Sequence, residues 1–216
     1  RRSLPCRFSS VLSCRLPFRM LQVYKHTILL LMTIIQDSIC KTVAIITNET
    51  QNMVSVGKIV AEKLNSAGII TLHSATLHDY PSYTKSYSRS AETVKEYLKK
   101  YPSIKVVLDL HRDAVTKENG DKVKLVTEIG GKKAAQVMLV MGSQSGSIKN
   151  HPNWQENLKL ALRLQQTMES KYPTLARPLS LASSRYNQSL SKGAMLLEFG
   201  TDMNSLDEAK YSAELV

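Results

Sequence analysis

Cysteine is nearly absent from this sequence, and the few cysteines that occur lie near its start. The 216 residues contain three cysteines, Cys6, Cys14 and Cys40, and none follows residue 40. The body of the chain therefore has neither a Cys-x-x-Cys pair nor the residues for a disulfide framework. This absence is as compatible with an exported protein as with a cytosolic one.

The sequence also lacks a hydrophobic run long enough to span a bilayer. The apolar stretch TILLLMTII, residues 27–35, is too short for that and follows an Arg-rich segment almost free of acidic residues. We interpret residues 1–41 as a basic N-terminal segment that is signal-like, disordered or non-native, although no clean small-x-small cleavage pattern follows it. The chain begins with Arg, so we expect a fragment, with the folded domain at residues 42–216.

Motifs for nucleotide and nucleic-acid binding are missing as well. EIGGKK, residues 128–133, has the wrong glycine spacing for a phosphate-binding loop, and no Ser or Thr follows its lysines. No aromatic–basic stacking pattern occurs, so nucleic acid is not an expected partner. The formal net charge of +11 favours an anionic partner such as a wall polymer or anionic lipid, but a solvated basic surface explains it equally well.

Strand-like and helix-like patterns alternate from residue 42 onward. TVAII (42–46), IITLHS (69–74) and IKVVLDL (104–110) predict buried strands, and residues at helical spacing separate them. Two further strand-like runs flank Gly130–Gly131 and predict a hairpin. A long helix, a late strand and a last helix with a Ser-x-x-Glu capping box follow. The pattern predicts an α/β fold: a doubly wound, mostly parallel sheet flanked by helices, with a β-hairpin insertion.

Two of the predicted strands carry polar residues that packing does not explain. KVVLDLHRDA (105–114) runs into His111, and AMLLEFG (194–200) holds Glu198 inside an apolar run. Ligands of such sheets bind beyond the carboxyl ends of the strands. Burial would raise the pKa of Glu198 and suit it to act as a general base, and a neighbouring histidine would suit metal-assisted hydrolysis. Taken singly, a salt-bridged glutamate and a hydrogen-bonded structural histidine are the commoner interpretations.

These stretches also resemble a known family. Residues 78–115, which include DLHRD, and residues 150–209, which include LLEFGTDMNS, resemble the stage II sporulation protein P family, and the resemblance extends roughly from residue 49 to the end. That family is similar in turn to zinc-dependent N-acetylmuramoyl-L-alanine amidases. The resemblance implies an amidase/phosphorylase-like fold and a zinc hydrolase that cleaves the amide between N-acetylmuramic acid and L-alanine in peptidoglycan.

The resemblance assigns roles to particular residues. His111 would be a zinc ligand and Glu198 the base that activates the zinc-bound water. A second histidine and a glutamate are also expected as ligands, but the early histidine motif of the family has no counterpart here. His26 is the candidate for the histidine and Glu49 for the glutamate, although a carboxylate favoured by the helix dipole also explains Glu49. His78 is an alternative ligand, more simply explained as structural.

Substrate-binding residues are expected among the arginines, because forked hydrogen bonds suit the carboxylates of stem peptides. The candidates are Arg112, Arg89 and Arg185, with Asn187 beside the last. Asp113 could orient a ligand histidine or pair with Arg112. A group of tyrosines could stack on sugars or cover the sheet: Tyr80, Tyr83 and Tyr87.

The resemblance finally implies a biological setting. The protein would degrade the septal wall during engulfment in a sporulating Gram-positive bacterium, in an extracytoplasmic place associated with the membrane or the cell wall. Stage II sporulation proteins D and M would be its protein partners. The alternative is a catalytically impaired wall-binding module that keeps the fold but lacks a complete zinc site.

Overall fold

A six-stranded sheet forms the centre of the fold. The computed structural model describes residues 28–33, 48–145 and 148–216. Its strands are β1 (Ile28–Thr33), β2 (Thr71–His73), β3 (Ile104–Asp113), β4 (Val126–Ile129), β5 (Lys132–Ala135), β6 (Val137–Gly142), β7 (Ser180–Ala182) and β8 (Ala194–Thr201). The order across the main sheet is β2-β1-β3-β8-β6-β7, and β4 and β5 form a separate antiparallel hairpin.

The main sheet is mostly parallel, as the alternating pattern predicted. Strands β2, β1, β3 and β8 run in one direction, β6 is antiparallel to β8, and β7 is parallel to β6. The hairpin predicted around Gly130–Gly131 is confirmed. The long apolar runs of β3 and β8 follow from their central positions, where both faces of the sheet are covered.

The α-helices of the described chain are α1 (Met53–Ser66), α2 (Ser86–Lys100), α3 (Trp154–Lys171) and α4 (Leu206–Leu215). The predicted capping box opens α4: the backbone N–H of Glu208 donates to the Ser205 hydroxyl, and the Ser205 N–H donates to the Glu208 carboxylate. Among the residues that the structure describes, no helix is both long and apolar enough to cross a membrane.

The two faces of the sheet are covered differently. Helices α1, α3 and α4 pack on one face, over a core that includes Leu110, Leu139 and Phe199. Helix α2 packs through Val94 on the other face, above β1 and β3. Beyond α2, a cleft lies over Met138 and neighbouring residues of that face. This difference in cover leaves one part of the sheet open to a ligand.

The start of the chain contributes a strand that the sequence did not predict. Residues 28–33, which we interpreted as part of a signal-like core, form β1 between β2 and β3. An apolar run of this length suits a buried parallel strand as well as a signal-peptide core, so the pattern cannot separate the two. The predicted strand at 42–46 lies outside the described residues, and the division at residue 41 stays a prediction.

Leucines of different burial provide a test of this packing. Leu139 of β6 is fully buried, whereas Leu162 on α3 is 51% exposed. Because Leu139→Ala leaves a cavity in the core, we expect it to lower the free energy of unfolding by about 2–5 kcal/mol. Leu162→Ala is the control and should change it by less than about 1 kcal/mol. Equal effects in urea denaturation would contradict the described core.

Candidate active site

The pairing of β3 with β8 brings two predicted site residues together. His111 and Glu198 are direct partners across the two parallel strands. Their side chains therefore project from the same face of the sheet, which is the face that bears the cleft. Leu110 and Leu197, one position earlier on each strand, point into the opposite core. The strand register thus sets an imidazole and a carboxyl side by side.

Glu198 is a buried carboxyl at the wall of the cleft. Its side chain lines a space of about 410 Å³, and the residue is 6% exposed. Burial raises its pKa to about 7; the charges of Asp113 and Asp109 also raise it, while those of His111 and Arg177 lower it. Its Oε2 has no hydrogen-bond partner among the described residues. A carboxyl in this state can take up and release a proton near neutral pH.

His111 lies fully buried among carboxylates. Its Nε2 is 3.1 Å from Oδ1 of Asp109, within ion-pair distance when the ring is protonated, and neither atom meets the geometry of a hydrogen bond within the described chain. Burial acts to lower the pKa of His111, but the charges of Asp109, Glu198 and Asp79 outweigh it and raise the pKa. When protonated, this imidazole can share a proton with Glu198, and once it has lost its proton a ring nitrogen can bind a cation.

Tyr87 covers this pair from α2. Its ring stacks on the His111 ring, with centroids 6.0 Å apart and planes inclined by 16°. The Tyr186 ring lies 5.8 Å from the Tyr87 ring between centroids, tilted by 53°. Burial, followed by the charge of Asp109, raises the pKa of the Tyr87 phenol far above its usual value. Of the tyrosines grouped from the sequence, Tyr83 and Tyr87 line the cleft together with Tyr186, whereas Tyr80 does not.

The side chains around His111 are of the types that bind a divalent metal, but too few of them are arranged to form a complete site. An imidazole with carboxylates beside it is the type of ligand set that zinc takes. However, within residues 28–33, 48–145 and 148–216, no group of three His, Cys, Asp or Glu side chains is arranged to hold an ion. His111, Asp109 and Glu198 thus offer unpartnered donor atoms without forming a complete site.

Of the other predicted ligands, the two that lie within the described residues, Glu49 and His78, do not join this group. His26 lies outside the described residues. Glu49 is exposed on a short 3-10 turn, Glu49–Gln51, and its charge acts on His73 rather than on His111. His78 is buried, and its Nε2 is 2.9 Å from the Thr93 hydroxyl, which agrees with the structural interpretation.

Two of the predicted substrate-binding arginines hold the backbone instead. Arg89 donates to the carbonyls of His78, at 2.6 Å, Thr84, at 3.0 Å, and Ser82. It therefore fixes the loop in front of α2. Arg112 donates from Nε to the Thr201 carbonyl at 2.8 Å and so ties β3 to the end of β8. A role of either guanidinium in binding substrate stays a prediction.

The remaining substrate-binding candidates lie at the rim of the cleft. Arg185 is exposed and lines an adjoining space of about 280 Å³. The Asn187 amide donates to the Tyr87 carbonyl at 2.8 Å and to the Ser90 hydroxyl at 3.0 Å, so it joins the rim to α2. Arg185 is the candidate whose position best suits an anionic ligand.

Asp113 does not hold His111, and it does not pair with Arg112 either. Its carboxylate accepts from Arg177 at 2.8 Å and from the Ala114 N–H at 2.8 Å. Asp109 is the carboxylate next to the imidazole, and the sequence analysis gave it no role. The sequence could have indicated that Asp109 lies beside His111, because residues two apart on a strand share a face of the sheet. Arg177 lies in an irregular segment, where no periodicity could have indicated it.

Comparisons with known proteins agree with this architecture. Residues 38–216 match the family model of stage II sporulation protein P. Stage II sporulation protein P of Bacillus subtilis is 32% identical over 173 residues, which are 75% of this chain and 40% of that protein. The chain therefore spans well under half the length of this curated relative.

Solved structures show a related fold. The N-acetylmuramyl-L-alanine amidase Ami1 from Mycobacterium smegmatis superposes with a TM-score of 0.51 and 12% identity, over 88% of this chain and 92% of the other. The N-acetylmuramoyl-L-alanine amidase AmiC2 of Nostoc punctiforme gives 0.48 and 14%, over 86% and 92%. At this identity the first likeness concerns the fold alone.

The raised pKa of Glu198 predicts how stability depends on pH in the metal-free protein. Since its pKa rises from 4.5 to about 7 on folding, its contribution to stability is complete below pH 4.5 and is lost as the pH rises through 7. Glu198→Gln removes this pH-dependent loss of stability, because the glutamine amide does not ionise. Between about pH 5 and about pH 8, the variant should gain up to about 3 kcal/mol relative to wild type in urea denaturation.

Glu128→Gln is the matched control for this measurement. Glu128 is exposed on β4, so its substitution should leave the pH dependence unchanged. A Glu198→Gln curve parallel to that of wild type would contradict a raised pKa.

Proposed function

Because the chain belongs to the stage II sporulation protein P family, we propose that it is a peptidoglycan hydrolase of sporulation. Its reaction is the cleavage of the amide between N-acetylmuramic acid and the L-alanine of the stem peptide. The observation that carries this proposal is the pairing of Glu198 with His111 at the wall of an open cleft. A buried carboxyl of pKa about 7 is suited to move a proton between water and a leaving amine at neutral pH.

Zinc is the proposed cofactor. When bound, it supplies electrophilic assistance to the scissile carbonyl and acidifies water. His111 would hold it through a ring nitrogen, and Asp109 would keep the ring in place by its negative charge. His26 and Glu49 are the sequence-based candidates for further ligands, and a complete ligand set would need a residue beyond the described group.

The proton transfers fall to Glu198. Its carboxylate takes a proton from the water whose oxygen bonds to the carbonyl carbon. When the carbon–nitrogen bond breaks, the electron pair goes to the alanine nitrogen, which takes the same proton back from Glu198. The products are the muramic acid carboxylate and the free amine of the stem peptide. In the metal-free protein, burial raises the pKa of this carboxyl, which favours its return of the proton to the leaving nitrogen.

The side chains that line the cleft suit a sugar–peptide substrate in their chemistry. Tyr83 and Tyr186 provide aromatic walls, and aromatic rings stack readily on sugar faces. Arg185 at the rim can bind a stem-peptide carboxylate with a forked pair of hydrogen bonds. The peptide would then run from Glu198 along β6 and β7 toward Arg185.

Family membership also supports a setting for this activity. We place the protein outside the cytoplasm, at the membrane or cell wall of the sporulation septum, during engulfment. Stage II sporulation proteins D and M are the proposed protein partners. The described residues span only part of the curated relative, so the surfaces for these partners are not assigned to particular side chains.

Replacing the base should abolish turnover without loss of metal. We expect Glu198→Gln to lower the release of stem peptides from purified sacculi by at least about 10²-fold, because the amide cannot accept the proton of the attacking water. Zinc content by mass spectrometry should stay that of wild type. The exposed Glu128→Gln is the control and should remain active. Normal turnover by the Glu198 variant would remove it as the base.

Replacing the imidazole should lower the zinc content. We expect about 10-fold or greater loss of zinc affinity in His111→Ala, measured by metal competition and mass spectrometry, because the variant loses a ligand. The control is His151→Ala, a buried histidine beside Arg185 that is not among the candidate ligands. Unchanged zinc in His111→Ala would make this residue structural. A wild-type chain that takes up no stoichiometric zinc would instead favour the wall-binding module.

A further inference from the structure

A strained turn, residues 184–188, borders the cleft. Tyr186 and Asn187 have φ values of 45° and 60° in this turn. The left-handed region is unfavourable for residues other than glycine, and especially for a bulky one such as tyrosine. Backbone strain of this kind persists only where the surrounding structure enforces it, and it concentrates at sites that bind ligands.

Two side-chain amides enforce the conformation of the turn. The Asn187 amide donates to the Tyr87 carbonyl at 2.8 Å and so joins the turn to α2. The buried Gln188 amide accepts from the Gly142 N–H at 2.9 Å and donates to the Val140 carbonyl at 2.8 Å, which joins the turn to β6. The turn is therefore fixed between the helix and the sheet without a ligand.

A glycine of β6 lets the turn approach the floor of the cleft. A Cβ on Gly142 would lie 2.4 Å from the Ser184 carbonyl oxygen and 3.2 Å from Cα of Arg185. Met138 and Val140 line the cleft, and Gly142 follows them at intervals of two along the strand. The missing Cβ thus points to the cleft face of the sheet, so the turn lies directly on that face.

The turn supplies a positive charge at this end of the cleft. Arg185 is exposed and lines a space of about 280 Å³, which also borders Ser184 and Tyr186 of the cleft wall. Beside it lies the buried imidazole of His151. Burial, and then the charge of Arg185, lower the pKa of His151, so this imidazole is uncharged at neutral pH. The Arg185 guanidinium can therefore attract an anionic group of a substrate.

The distance from Glu198 to the turn suits the first two residues of a stem peptide. Met138 lies opposite Glu198, and Gly142 is four residues further along β6, about 13 Å away at about 3.3 Å per residue. Two extended peptide residues span about 7 Å, and the long Arg185 side chain can bridge the remainder. The second stem residue is a D-glutamate linked through its side-chain carboxyl, so its α-carboxylate is free at about this distance from the scissile nitrogen.

We propose that Arg185 is a specificity-determining residue, which selects stem peptides whose second residue keeps a free carboxylate over peptides in which this group is amidated. The proposal rests on the proposed amidase function. Arginine forms a forked pair of charge-assisted hydrogen bonds with a carboxylate, whereas a carboxamide is uncharged and has one acceptor oxygen. The turn fixes the backbone from which the guanidinium extends, so less conformational freedom is lost on binding.

Two soluble substrates test this selection: N-acetylmuramoyl-L-alanyl-D-isoglutamate and the corresponding D-isoglutamine, which differ only in that carboxyl group. We expect kcat/KM of the zinc-loaded wild type to be about 10- to 100-fold higher for the acid. Arg185→Gln should reduce this preference to less than about twofold, by lowering activity on the acid alone. Arg163→Gln removes an exposed arginine from α3 and should keep the preference of wild type. A wild type without preference, or an Arg185→Gln variant that keeps it, would overturn the proposal.

Calorimetry distinguishes failure of this inference from failure of the proposed function, because binding needs no turnover. In the Glu198→Gln background, where hydrolysis is slow, the acid should bind about 10-fold or more tightly than the amide. Adding Arg185→Gln should remove this difference without changing zinc content or the midpoint of thermal unfolding. Equal affinities for the two ligands overturn the selection and leave the amidase reaction in place. A zinc-loaded wild type that cleaves neither substrate overturns the amidase reaction, while calorimetry still decides whether the turn selects the acid.

Discussion

The register between β3 and β8 is the constraint on which the site depends. A shift by one residue would turn His111 or Glu198 from the cleft face into the apolar core, because side chains alternate along a strand. Close backbone contact enforces the register. A Cβ on Gly193, just before β8, would run into the carbonyl of Lys105, and the same glycine carbonyl accepts from the Val107 N–H. The residue before the strand thus helps to place Glu198 opposite His111.

The end of β8 is fixed in a related way. Gly200 has a φ of +72°, a conformation that favours glycine, and a Cβ there would lie 2.5 Å from the Asn204 side chain. The pairing of β3 and β8 becomes irregular between His111 and Asp113, directly beside this glycine. Beyond this irregularity Asp113 pairs with Arg177, whereas Asp109 is the carboxylate next to the imidazole.

Sequence periodicity could predict the central strands, the hairpin and the capping box of α4, because these depend on local patterns of apolar and turn residues. It could also indicate His111 and Glu198, since polar residues within apolar strands are conspicuous. It could not reveal that Arg89 holds a loop, because its three acceptors are backbone carbonyls without a sequence signature. Likewise, β1 was misinterpreted because a buried parallel strand and a signal-like core have the same composition.

The chemistry of the site follows from the repulsion between neighbouring carboxylates and its partial compensation by basic side chains. Asp109, Asp113 and Glu198 lie close enough for their charges to interact, and burial disfavours ionisation of Glu198 further. Arg177 compensates Asp113 directly, whereas the charge of His111 is shared between Asp109 and Glu198. The folded chain therefore gathers three carboxyl groups and two basic side chains at the cleft wall. A cation bound beside His111 would lower the pKa of Glu198, so metal binding, stability and the proton affinity of the base are coupled through the same few atoms.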